Sequence, residues 1–255
     1  MSGSAASHKS VRIDQEIAVR FPGVSRRKAR ELLAQHRVLL NERPVSVASR
    51  EVAPSDRISI IENDQEIAIL RSTADWLAAN KATGMAVQPD RERVRRSLHE
   101  LLLSQLKRNG QPHSLYVIHR IDTGTSGVVL FARSQAAAAR LSARFAAGEI
   151  RKTYLALVEG RLESERTIET PIRDRSARTM VRPRQSSGEQ TLVEVEIQTG
   201  RTHQIRIHLA STGHPVVGDR RYGSTVNASR LMLHAWRLEH DDFGLLEAPI
   251  PPDFV

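Results

Sequence analysis

YVIHRIDTGTSGVVLFA (residues 116–132) sets two apolar, strand-like runs around a polar turn that carries one carboxylate, Asp122. The second run, VVLFAR at 128–133, has the length and the β-branched and aromatic content of a buried strand. Gly124 and Gly127 permit close backbone approach, while Thr123, Thr125 and Ser126 offer hydroxyls to the backbone or the carboxylate. A turn held between two strands can aim Asp122 and strip part of its water, which a nucleophile or a base requires. The same residues suit an Asx turn in which Asp122 caps a following amide, so this stretch alone leaves a catalytic and a structural reading open.

Working outward, TYLALVEG (153–160) and TLVEVEIQT (191–199) read as further strands, the second alternating apolar and acidic residues as a half-buried strand does. SLHELLLSQLKRNG (97–110) and SQAAAARLSARFAAG (134–148) read as helices, each closed by a glycine that can serve as C-cap. Apolar runs and turn signals begin again at WLAANKATGMAVQPD (76–90). Strands and helices mix without a regular βαβ rhythm. Residues 74–255 therefore read as one α+β domain on a mixed, mostly antiparallel sheet. No repeat of 20–50 residues is present.

Upstream, residues 61–73 read as a polar linker and 12–60 as a separate small unit. Within it, RIDQEIAVRF (12–21) is amphipathic, Pro22-Gly23 breaks the chain, and Ser25 is placed to N-cap a helix over RRKARELLAQH. Ala29, Leu32 and Leu33 share the core-facing side of that helix. Arg26, Arg27, Lys28 and Arg30 crowd its first turns, at the positive end of the helix dipole, where a bound polyanion would relieve the repulsion. A solvated charged face is the alternative. Residues 11–60 hold ten Arg and Lys against six Asp and Glu. Residues 1–11 read as a flexible tail.

The 255 residues contain 38 Lys and Arg against 29 Asp and Glu, a net charge of +9. That excess favours a polyanionic partner, nucleic acid ahead of membrane, although charge alone also serves solubility. With no cysteine, disulfides, thiolate nucleophiles and Cys-ligated zinc are excluded, and a reducing cytoplasm fits. The N-terminus lacks an apolar signal core, and no run approaches the roughly 20 apolar residues of a membrane span. A soluble cytoplasmic protein is expected.

TGRTHQIRIHLASTGHPVVGDRRYG (199–223) is the second informative stretch. Thr202 is placed to N-cap a helix that Gly213 ends, so Arg206 would project from its first turns. Its forked guanidinium suits bidentate pairing with a carboxylate. His203, His208 and His214 are spaced five and six apart, off any single helical face, and read as hydrogen-bonded side chains rather than a metal set. Tyr154 sits in a strand, where it could stack on a base or simply be a half-buried tyrosine.

HRIDTGTSG is very similar to the HRLD-x-x-TSG signature of the RluA-type pseudouridine synthases, with Ile121 where leucine is usual. The resemblance implies that Asp122 is the catalytic residue and that Arg120 contacts RNA and helps open the helix around the target uridine. Thr125, inside the signature, is taken as substrate-binding. The second stretch resembles the family's GRTHQ-[IL]-R-x-H element, which implies that Arg206 pairs with the catalytic carboxylate, and GDRRYG (218–223) stands for its GDxxYG. RKTYLALVEG matches RKxY-x-A-x-V-x-G, implying that Tyr154 lies against the base and assists its deprotonation. SRLMLHAWRLEH resembles R-L-x-LHA, implying that Leu233 packs beneath the base. SRRKARELLAQHRVLLNERPV, with PSDRISI after it, resembles the αL RNA-binding module of the small ribosomal protein 4-like domain.

Three departures stand out. NER occupies 41–43 where an Asn-Gly turn is common. Ala82 and Gln88 replace the proline of NKPxG and a histidine. The span from Arg173 to Thr191 is short for the family, so a strand or hairpin there is expected to be missing or reduced. The implied function is isomerisation of uridine to pseudouridine in structured RNA, ribosomal before transfer RNA, by flipping the base, with no cofactor or metal and as a monomer. A non-catalytic RNA-binding or ribosome-assembly protein is the rival, and a metal-dependent nuclease would need clustered carboxylates that the sequence lacks.

Overall fold

The computed structural model describes residues 10–35, 37–60, 66–89 and 96–254. Residues 1–9 of the expected 1–11 tail and 61–65 of the expected 61–73 linker lie outside them, while Val11, at the end of that tail, pairs with Val52 as a strand residue. The chain divides into two compact units, one of residues 1–66 with 90–96 and the other of residues 67–89 with 97–255.

In the first unit, β1 (Val11–Arg12) leads into α1 (Ile13–Arg20) and α2 (Arg26–Ala34), followed by β2 (Val38–Leu40), β3 (Arg43–Val45), β4 (Glu51–Val52) and β5 (Ile58–Ile60). β2 lies between β3 and β5, and β1 pairs with β4. Ile13 and Ile17 of α1 meet Ala29, Leu32 and Leu33 of α2 over the strand residues Val38 and Val45, the apolar face that the helical spacing predicts. Ser25 caps α2 by accepting from the Lys28 amide at 3.2 Å. The β2–β3 turn keeps its two-residue form without glycine, Asn41 and Glu42 taking φ of 50° and 66°. Asn41 offsets part of that cost by donating to Asp56 at 2.8 Å and accepting from the Arg57 amide at 2.9 Å.

The second unit runs β6 (Ile69–Ser72), β7 (Trp76–Lys81), α3 (Leu98–Arg108), β8 (Tyr116–Val117), β9 (Ser126–Ala132), α4 (Gln135–Ala147), β10 (Arg151–Glu159), β11 (Arg166–Ile168), β12 (Thr179–Ser187), β13 (Gln190–Ile197), α5 (Gln204–Ser211), β14 (Leu233–His240) and β15 (Gly244–Glu247). The sheet order is β11-β12-β13-β10-β14-β9-β7-β6, with β15 on β14 and β8 on β9. Among the described residues every strand pair in it is antiparallel except β9 with β14. This is the mixed, mostly antiparallel α+β sheet expected from the sequence. β9 is buried along its whole length. One set of its alternating side chains, Val129 and Phe131, packs under α3, while Val128 and Leu130 pack under α4, so both faces are covered. A capping box between Ser97 and Glu100 starts α3, Ser134 caps α4, and Gly148, at φ 73°, ends α4.

Two expectations are corrected. Residues 69–72, taken as linker, form β6 on the edge of the large sheet. Ile67 is buried, and Gln105 of α3 bonds its backbone on both sides, at 2.8 and 3.0 Å, as a neighbouring strand would. Nor is a hairpin missing between Arg173 and Thr191: β12 and β13 are nine and eight residues long. β12 is concealed in sequence because beyond Val181 it is a polar edge strand, where Pro183 is tolerated at a register shift. Among the described residues, no helix is long and apolar enough to cross a membrane.

Candidate active site

Asp122 sits at the entrance to β9, where its carbonyl closes a turn with the Thr125 amide at 3.0 Å. Gly127 shows why that loop is fixed. At φ 116°, a Cβ there would lie 2.1 Å from the Ala235 carbonyl oxygen, so only glycine lets β9 and β14 meet in parallel. Thr83 donates to the Gly124 carbonyl at 2.7 Å, and the Gly84 amide donates to the Thr123 carbonyl at 2.8 Å. The segment that carries Ala82 in place of proline is thus tied to the Asp122 loop by hydrogen bonds.

Arg206 projects from α5, but the helix starts differently from the expectation. Thr202 is exposed and is not the cap; His203 occupies the N-cap position at φ 57° with no side-chain capping bond. The left-handed turn aims the His203 Nδ1 at the Tyr222 hydroxyl, 2.8 Å away. Gln204 satisfies the loop instead, its Oε1 accepting from the Arg201 amide at 3.0 Å and the Thr199 hydroxyl at 2.7 Å. Gly213 follows the helix at φ 80°, as expected.

Arg206 bridges two carboxylates. Its Nε and one terminal nitrogen hold Asp219 at 2.6 and 2.8 Å, and its other terminal nitrogen reaches Asp122 at 3.4 Å. Asp219 is buried, while the Asp122 side chain is 27% exposed. Burial opposes the charge on Arg206, yet Asp219 and Asp122 outweigh it and raise its pKa. The guanidinium also lies over the Tyr222 ring at 5.0 Å. The His203 Nε2 is 3.9 Å from Asp122; burial lowers this imidazole's pKa, with Asp122 opposing. Tyr154, at a bulge in β10, has its phenol pKa raised by burial and then by Asp122, so it stays protonated at neutral pH.

A cavity of about 80 Å³ is lined by Asp122, Tyr154, Arg206, Arg120, Thr125 and Leu233. Six sequence-named residues from four segments therefore converge on one place. It adjoins an open groove of about 830 Å³ whose walls include Arg120, Arg151, Lys152 and Arg201, with Tyr154 common to both. His208 and His214 are engaged within the fold, His208 with Thr179 and the Thr170 carbonyl, His214 with the Glu159 carbonyl.

Sequence reading misses four contributors. Asp219 and Tyr222 stand in GDRRYG and His203 in GRTHQ, strings that are visible but whose individual side chains carry no chemical signal until Arg206 is placed. Lys81 is the fourth. Its ammonium is buried and donates to the carbonyls of Ala82, Met85 and Thr123 at 3.0, 2.8 and 3.2 Å, pinning the Asp122 loop. Burial pulls its pKa down to about 7, with the charge of Asp122 opposing.

In the first unit, Arg26 and Arg30 share a duty not foreseen. With Arg12 they surround the buried Asp14 carboxylate at 3.5, 2.8 and 3.1 Å. Burial would raise that carboxyl, but Arg30 and Arg12 hold it below its ordinary value. Arg27 is 92% exposed, 4.0 Å from Glu31, and Lys28 is 3.6 Å from the same carboxylate.

A carboxylate aimed by a clamped arginine, facing a neutral phenol beside a cationic groove, defines an enzyme for a polyanionic substrate. The chain belongs to the RNA pseudouridylate synthase family, whose profile matches residues 75–211, and an S4 domain profile matches 11–58. An uncharacterized RNA pseudouridine synthase of Bacillus subtilis is 34% identical over 88% of this chain and 82% of its own. Ribosomal large subunit pseudouridine synthase D of Nitrosomonas europaea is 30% identical over 96% and 83%. Among solved structures, human RNA pseudouridylate synthase domain containing 1 matches with a TM-score of 0.63 at 26% identity, over 76% of this chain and 86% of that one. The protein is accordingly an RNA pseudouridine synthase, and RNA is its substrate.

Proposed function

We propose that Asp122 is the catalytic carboxylate and that ribosomal RNA is the substrate, transfer RNA being the second choice. The observation that carries the first assignment is the convergence of Asp122, Arg206 and Tyr154 on one small cavity. Uridine becomes pseudouridine when the N1–C1′ bond breaks, the base turns, C5 bonds to C1′, and the proton on C5 is lost while N1 gains one. A cavity of about 80 Å³ is far below the roughly 300 Å³ of a site for a larger ligand, so a single heterocycle is what it can take. The base must therefore flip out of its stack, with its backbone left in the adjoining groove against Arg120, Arg151 and Arg201.

In this reading Arg206 aims Asp122, and Leu233 supports the base from below. Thr125 lines the wall, and Tyr154 stacks on the base. A phenol held neutral is not a standing base, so Tyr154 assists removal of the C5 proton as a relay that accepts one proton while passing on its own. Arg26, Arg27, Lys28 and Arg30 grip phosphates, the net charge left after Asp14 being positive. The ribosomal assignment is supported by the name of the Nitrosomonas relative. The protein works as a monomer in the cytoplasm, without a cofactor or metal.

Transcripts of ribosomal and transfer RNA labelled with tritium at uridine C5 test this directly, since C5 loses its hydrogen on isomerisation. Release from ribosomal transcripts is expected. Release from transfer RNA alone would overturn the substrate, and release undiminished in Asp122→Asn would overturn the catalytic assignment.

A further inference from the structure

Outside the lining of the cavity, the Arg230 side chain is nearly buried and makes a hydrogen bond from each of its three nitrogens. Its Nε and one terminal nitrogen take both oxygens of Asp253 at 2.6 and 2.7 Å, and its other terminal nitrogen donates to the Ser126 hydroxyl at 3.0 Å. The ring of Phe254 lies 5.1 Å beneath the guanidinium. Ser126 is the first residue of β9, paired in register with His234 of β14, and its hydroxyl meets the His234 Nδ1 at 2.9 Å. Arg230 can only donate, so Ser126 accepts from it and gives its own proton to a neutral His234. Burial keeps that imidazole neutral, its pKa down to about 4.

The backbone of the same segment is wedged between the two loops of the site. A Cβ on Gly124 would lie 3.3 Å from Leu231, and one on Gly218 would lie 2.2 Å from the Arg230 carbonyl oxygen. Gly124 belongs to the loop of Asp122, and Gly218 precedes Asp219, which clamps Arg206. We propose that Arg230, locked by Asp253, is a positioning residue: through Ser126 on one side and Gly218 on the other, it sets the separation of Asp122 from Arg206. Neither Arg230 nor Asp253 lines the cavity, so the effect reaches the reaction only through those neighbours. It rests on Asp122 and Arg206 being the catalytic pair.

The test is a double-mutant cycle in the full chain with Asp253→Asn, Ser126→Ala and the two combined, read as kcat and KM on RNA with rates scaled to folded protein. Asp253 is 44% exposed and asparagine keeps its shape, so the fold tolerates the change. Each single variant is expected to lose about 10-fold in kcat, as small displacements of reacting groups do, with KM within about twofold. The double variant should be no slower than the slower single, because both break one chain of hydrogen bonds. Arg230→Lys, which keeps the charge but not the fork, should behave like Asp253→Asn. Wild-type kcat in Asp253→Asn, losses that multiply in the double variant, or a loss that vanishes on scaling to folded protein would each overturn the proposal. A wild type that makes no pseudouridine would instead remove the catalytic reading beneath it.

Discussion

Arg206 is bound more tightly to Asp219 than to Asp122: two hydrogen bonds of 2.6 and 2.8 Å against one of 3.4 Å. The buried carboxylate fixes the fork, and the remaining arm is left pointing at the partly exposed one. This division lets Asp122 be oriented without being locked, since its remaining lone pairs are open to the cavity.

Asp219→Asn should therefore damage catalysis although Asp219 is not among the residues lining the cavity. Losing the bidentate clamp should cut kcat about 100-fold while RNA affinity changes by less than about threefold. Single-turnover rates with saturating enzyme measure the first quantity and filter binding the second. A loss confined to affinity would show that Asp219 serves RNA binding instead.

The Asn41-Glu42 turn predicts a gain of stability. Glu42 is held in the left-handed region, where an L side chain costs about 1 kcal/mol that glycine avoids. Glu42→Gly should raise the unfolding free energy of the first unit by about that amount, readable in urea denaturation. An unchanged or lower midpoint would mean that the side chain makes a compensating interaction.

Acid should weaken the second unit through His119. Burial first, then Lys152, depresses this imidazole to about 3, and its Nε2 accepts from the Leu130 amide at 2.8 Å. Because the folded pKa is below the unfolded value, near 6.5, the stabilisation is complete above pH 6.5 and is lost progressively as pH falls toward 3. The melting temperature should drop between pH 7 and pH 5, and less steeply in His119→Gln, which keeps an acceptor but does not titrate. Parallel profiles for the two proteins would place the acid sensitivity elsewhere.

RNA affinity should respond unequally to the four basic residues of α2. Arg27→Glu with Lys28→Glu should weaken binding and lower the salt slope by about 0.9 for each phosphate that is no longer neutralised. Arg26→Glu should also destabilise the unit, because it sets a second carboxylate against buried Asp14. Equal losses of binding with no loss of stability in Arg26→Glu would contradict the Asp14 cluster.

Much of the fold is legible in the sequence, for physical reasons that also explain the gaps. β9 and β13 announce themselves because burial on two faces or one imposes continuous or alternating apolar residues. The helices carry their caps within a few residues, as at Ser97 and Ser134. β6 and the part of β12 beyond Val181 are hidden because strand stretches on a sheet edge need little apolar surface. The same distinction holds at the site. Asp122 and Arg206 are legible as motif residues, whereas Lys81, Asp219 and the role of Arg230 depend on long-range approach, which no local pattern encodes. Thr202 misleads because a hydroxyl before a helix is an ordinary cap, and here Gln204 and the left-handed His203 take its place.

The most direct test of the central claim is to map pseudouridine, nucleotide by nucleotide, in ribosomal RNA incubated with the wild-type protein and with Asp122→Asn at equal RNA occupancy. New pseudouridine at discrete positions with the wild type, and none with Asp122→Asn, is the predicted result. The same positions modified at the same rate by Asp122→Asn would contradict it.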